Sequence, residues 1–123
     1  MTQAQYVMLS DDSAPVETKV FPKGRFDLFT IGGKTFGRAT YEPGWKWSEH
    51  VGPQVGDTLC RVSHFGYVVS GSCAVGFEDG SVAELRAGAF FHIPAIAHDS
   101  WVIGDAPYVS LHLDQPEDYA SAR

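Results

Sequence analysis

The segment LCRVSHFGYVVSG, residues 59–71, sets a thiol and an imidazole four residues apart, Cys60 and His64, in a run otherwise rich in apolar and aromatic residues. Thiolate and neutral imidazole are both donors for divalent transition metals. Three or four such donors meeting inside a protein can hold zinc, iron, manganese, nickel or copper. On a strand, side chains alternate between two faces, so Cys60 and His64 are expected on one face with Val62, Gly66 and Val68. The other histidines are His50 at the end of PGWKWSEH, His92 and His98 in FFHIPAIAHDSW, and His112 in YVSLHL. His50, His64 and His98 stand on separate segments, and only folding brings them to one point.

The elements that must position these residues read as β throughout. Aromatic and β-branched residues recur in short runs punctuated by Gly, Pro and Asp, and no window shows a sustained helical stripe. RFDLFTI and KTFGRATY flank Gly32-Gly33, and SCAVGFE and SVAELR flank Asp79-Gly80, so both junctions are expected as antiparallel hairpins. Further strands are expected at VETKVF, near WKWSEH, at CRVSHFGYVVS, AFFHIP, SWVI and YVSLHL, and VGPQVGD is expected as a surface loop. About nine or ten short strands suit a double-sheet jelly roll or a small barrel. The 123 residues fit one domain, with polar extensions at either end that drape over the barrel or a partner subunit.

Three segments in order, PGWKWSEH, HFGYVVSG and GAFFHIPAIAHDSW, resemble the signature segments of the cupin superfamily, small β-barrels with a metal inside. The resemblance covers about residues 26–113 and implies a single cupin domain over 1–123, built as a double-stranded β-helix (jelly-roll) barrel. It is similar in detail to a subgroup of small bacterial cupins that share the WSEH, HxGYVxSG and HDxW segments. His50 lies six residues after Gly44, where the first ligand histidine of the family falls. His64 lies seven before Gly71, where the family has a glutamate, and Gly88, Pro94 and His98 follow the second motif with one residue missing. The chain departs from the pattern in having Gly52 where a second paired histidine stands, His64 for the glutamate, and a longer intervening loop.

The resemblance implies a divalent metal, zinc or iron in the first place and manganese, nickel or copper as alternatives, held by His50, His64 and His98. Cys60 is then a fourth ligand or a thiol lining the pocket. On that reading Gly66 leaves room beside the metal for a substrate or water. Arg38 is expected to bind a substrate carboxylate or else to form an exposed ion pair, and Trp47 and Trp101 to form the walls or entrance of the pocket. His92 is read as structural, and His112 as lying on the wet face of its strand, opposite Val109, Leu111 and Leu113.

The formal net charge of −6 has no basic cluster to grip phosphates, so nucleic acid is not expected as a partner. The apolar runs are too short for a membrane span, and the start shows no signal segment, which gives a soluble, cytoplasmic expectation with both cysteines reduced. A homodimer formed through sheet edges is expected. The expected function is a metal-dependent enzyme acting on a small organic substrate, of lyase, isomerase or dioxygenase type. The alternative is a non-catalytic cupin that binds or senses a small molecule or a metal.

Overall fold

Gly32 and Gly33 both take positive φ (58° and 75°), and Ile31 pairs with Lys34 across them, so the first predicted hairpin forms around a two-residue turn. The computed structural model describes residues 5–121. Nine strands are present among them: β1 (Glu17–Phe21), β2 (Gly24–Ile31), β3 (Lys34–Tyr41), β4 (His64–Ser70), β5 (Ser72–Phe77), β6 (Val82–Arg86), β7 (Phe90–Ile93), β8 (His98–Ile103) and β9 (Tyr108–His112). All pair antiparallel, in a six-stranded sheet of order β1-β2-β3-β9-β4-β7 and a three-stranded sheet of order β6-β5-β8.

The two sheets enclose one core. Phe26, Leu28, Ala39, Tyr41, Val68, Phe91 and Ile93 contribute from the larger sheet, and Cys73, Val75 and Val102 from the smaller. Trp45, 1% exposed, closes one flank and stacks on Tyr41 with ring centroids 3.7 Å apart. Among the described residues no helix is long and apolar enough to cross a membrane.

The stretch between β3 and β4 departs from expectation. WSEH is not a strand but a one-turn helix, α1 (Trp47–His50), followed by a second, α2 (Gly52–Val55), where a plain loop was expected. The chain coils because the amides of Glu49 and His50 both bond the Lys46 carbonyl, and that of Val51 bonds Trp47. Gly56, at φ 79°, stops the second turn. β4 accordingly begins at His64 rather than at Cys60. Cys60 stands outside it, in an isolated two-residue bridge with His98.

Gly66 also has a different role from the one expected. A Cβ there would run into the carbonyl oxygen of Leu111 and lie 2.9 Å from the Phe91 ring, so the glycine serves close packing of β4 and leaves no space for a ligand. In β9 the alternation is as expected but the faces are exchanged. Ser110 and His112 are buried, while Val109 and Leu111 lie on the outer side beside Phe29, Phe36, Arg38 and the segment 10–12. β9 lies between β3 and β4 near the middle of the larger sheet, so its outer face is shielded by neighbours. Its inner face is polar because it borders the cavity described next.

Candidate metal centre

Two main-chain hydrogen bonds fix the first pair of donors. The Cys60 amide donates to the His98 carbonyl (2.8 Å) and the His98 amide to the Cys60 carbonyl (3.0 Å), so the two residues are directly opposed and their side chains leave the backbone on one side. His64, the first residue of β4 and paired with Ile93 of β7, brings the third donor: its Nε2 lies 3.5 Å from Cys60 Sγ. The ligand atoms of Cys60, His64 and His98 all lie within 4.8 Å of one another, and all three residues are buried.

The donor set suits a transition metal. Zinc with Zn–S of about 2.3 Å and Zn–N of about 2.0–2.1 Å places tetrahedral S and N ligands roughly 3.5 Å apart, which is the Cys60–His64 separation. His98 Nδ1 lies 2.7 Å from the Ile96 carbonyl and donates its proton there, leaving the Nε2 lone pair for coordination. Burial holds the His64 pKa well below the ordinary histidine value, with the nearby His112 and His98 acting in the same direction. Burial also lowers that of His98, against the pull of the Ile96 carbonyl and of Asp99. Both rings are therefore held in the neutral form that binds metal.

The donors border a cavity of about 30 Å³, also lined by Trp47, Ser100, Tyr41, Tyr108, His112 and Tyr119. One water needs roughly 10–15 Å³ by the same measure, so the space takes an ion or a water and not an organic molecule. Burial pushes the His112 pKa down to about 4, and His112 Nε2 shares a hydrogen bond with Ser110 Oγ at 3.0 Å. Trp47 is 3% exposed and its indole N–H has no partner among the protein atoms.

The residues singled out in the sequence therefore divide. Cys60, His64 and His98 come together, and Trp47 lines the same cavity. His50 lies apart from this group: at the end of α1 it turns back, and its Nδ1 accepts from the Lys46 amide at 2.9 Å. The helical turn replaces the strand that would have aimed it inward. Arg38 does not reach the cavity. It lies across from Asp27 on the outer face of the larger sheet and pairs with Asp27 (3.2 Å) and Asp12 (3.5 Å). Trp101 alternates with His98, Ser100 and Val102 along β8, and so packs outward against Gly76 and under Lys46 Nζ. His92 is exposed.

Sequence reasoning missed His112, Ser110 and Tyr119. The first two were hidden by the exchanged faces of β9. The third carried one signal, an aromatic residue in an otherwise polar terminal stretch, PEDYASAR.

No family model matches the chain, and no curated protein matches it by sequence. Solved structures do share its fold. A protein of unknown function (DUF1255) from Acinetobacter sp. ADP1 is 15% identical with a TM-score of 0.57, over 80% of this chain and 90% of that one. An oxalate decarboxylase from Lactobacillus farciminis, solved as a formate complex, is 19% identical with a TM-score of 0.54, over 78% of this chain and 30% of the larger enzyme. A chain in the structure of Drosophila melanogaster CENP-C bound to CAL1 is 17% identical with a TM-score of 0.61, over 85% of this chain and 83% of that one. At such identities the likeness concerns architecture: an all-β, cupin-like double-sheet roll.

Proposed function

We propose that this cupin-like barrel is a metal-binding protein in which Cys60, His64 and His98 hold one divalent transition ion, zinc or iron, and that the centre serves an enzyme acting on a small organic molecule. The observation that carries the reading is the convergence of three buried donors remote in sequence. Three protein ligands leave a coordination position open, as catalytic sites do and closed structural sites do not. When bound, such an ion supplies a Lewis acid that polarises an oxygen of substrate or water.

The chain's own groups complete the site. The Ile96 carbonyl fixes the tautomer of His98. The Ser110–His112 pair can hold a proton between Oγ and Nε2 at the cavity wall. The unpartnered Trp47 N–H offers a donor to an acceptor held in the cavity. Phe91, Ile93, Val75 and Leu85 exclude bulk water, which strengthens each of these interactions. Decarboxylation or a related lyase step fits such a centre, and the oxalate decarboxylase fold-mate supports that direction.

A second reading, a binding or sensing protein, is favoured by one observation: the cavity is too small for an organic substrate while Tyr119 is in place. Elemental analysis of protein purified without added metal tests the centre. One ion per chain is expected, lost in Cys60→Ala, His64→Ala and His98→Ala and retained in His50→Ala. Retention in the first three variants refutes the ligand assignment. Loss of metal with no turnover of small carboxylic acids, carbonyls or diols by the metal-loaded wild type moves the conclusion to the binding reading.

A further inference from the structure

The group that keeps the cavity small belongs to the C-terminal segment. After β9 the chain leaves the sheet, makes a 3₁₀ turn over Pro116–Asp118, and sends Tyr119 into the barrel, where it is 3% exposed. Its ring lies 4.7 Å from that of Phe26, stacks on His112 at 5.9 Å, and meets His64 edge-on at 5.3 Å. Its hydroxyl bonds the buried hydroxyl of Tyr41 at 2.7 Å. The barrel thus presents a slot shaped for an aromatic ring, with a hydroxyl at its far end to meet another hydroxyl.

The segment that fills this slot is anchored by two buried side chains, Pro116 and Tyr119, and by few hydrogen bonds. Among the described residues its main-chain hydrogen bonds are internal, Asp118 to Gln115 and Tyr119 to Pro116, and none joins it to a strand. Besides the Tyr119–Tyr41 hydroxyl bond inside the slot, its polar ties to the rest of the fold converge on one side chain, Lys19 of β1, whose Nζ donates to the carbonyls of Glu117 (3.0 Å) and Tyr119 (2.6 Å) and lies 3.1 Å from Ser121 Oγ. Gln115 (φ 46°) and Ala120 (φ 55°), neither of them glycine, sit in the left-handed region on either side, so docking holds strained backbone at both ends. Glu117, Asp118 and Ser121 are exposed.

We propose that Tyr119 occupies a ligand subsite of the barrel, that the C-terminal segment swings out to vacate it, and that the ligand taken in its place is a small phenol. The inference rests on the reading of the barrel interior as a ligand cavity and names the ligand class. It needs neither a bound metal nor turnover. Tethering makes Tyr119 a strong competitor, because the observed affinity for a free ligand falls in proportion to the fraction of open molecules.

Phenol itself, followed by calorimetry on the full chain, is the test. Deleting the tyrosine ring would be a poor one, since any apolar hole accepts a small aromatic guest. Lys19→Ala leaves slot and tyrosine intact and removes only the clasp. It is expected to tighten phenol binding tenfold or more over the wild type, with cyclohexanol binding at least tenfold more weakly than phenol. In the wild type, saturating phenol is expected to move the amide NMR signals of residues 117–121 to unstructured positions while those of β3, β4 and β9 stay in place. Equal phenol affinity in wild type and a folded Lys19→Ala overturns the proposal, as does phenol binding that leaves the 117–121 signals unmoved. Metal content, read separately, stays at one ion per chain if only this inference fails.

Discussion

Lowering the pH of the metal-free protein from 7.5 to 5 should destabilise it sharply, because three histidines are buried uncharged in one place. The unfolded chain binds a proton on each near pH 6.5, whereas the folded chain resists it. Between the two pKa values the unfolded state therefore carries more protons, and stability falls as pH falls. For His112 the fall runs from about pH 6.5 to the folded value of about 4. At roughly 1.4 kcal/mol per pH unit, this residue alone removes about 2 kcal/mol by pH 5 and about 3 kcal/mol at the end of its range. His64 and His98, both lowered by burial, act in the same direction. The paired or turn-bound carboxylates Asp11 and Asp79 are lowered from 3.8, so they titrate below this window. The assay is urea unfolding after chelation. With a slope of about 1–3 kcal/mol per molar, the midpoint should drop by about 1 M or more between pH 7.5 and 5. His112→Gln, which keeps a partner for Ser110, should shrink the pH effect by about 2 kcal/mol whatever it does to stability at pH 7.5. Equal midpoints at the two pH values in the wild type, or an unaltered pH effect in His112→Gln, would refute the account.

Two further substitutions probe the scaffold. Gly66→Ala drives a methyl into the Leu111 carbonyl and the Phe91 ring, and should cost about 3 kcal/mol or more in urea unfolding; a loss below 1 kcal/mol would show that β4 and β9 can part there. Asp27→Ala strips Thr18 and Arg38 of a carboxylate that is 3% exposed, and should cost about 2–4 kcal/mol by the same assay while leaving metal content unchanged.

Much of the architecture was legible because hairpin chemistry is local. Gly32-Gly33 and Asp79-Gly80 mark their turns without reference to anything distant. The strands at VETKVF, AFFHIP, SWVI and YVSLHL also fall where alternation and β-branching place them. His64 and His98 were legible as donors because each sits in a strand next to a recognisable turn or proline. His50 was misplaced for a local reason: WSEH has a composition that a strand or a helical turn can accept, and the Lys46 carbonyl decided for the turn. The faces of β9 were exchanged because alternation reports two different surroundings and cannot say which is the interior when the interior is polar. Tyr119 was invisible as a cavity residue because its place depends on Phe26, Tyr41 and Lys19, which stand 78 to 100 positions earlier.

The reciprocal bridge between Cys60 and His98 has a bearing on how the centre tolerates change. The chain makes a detour after Lys46, through two helical turns and a surface spur, before two peptide groups click it back into alignment. The stretch closes on itself, with Gly52 tight against the Asp57 carbonyl, and is pinned inward by Val51 and Val55, which pack on the core. Only Pro53 and Gln54 are exposed between Val51 and Val55, so side chains can be exchanged at those two positions while the bridge keeps the thiol and the imidazole in register.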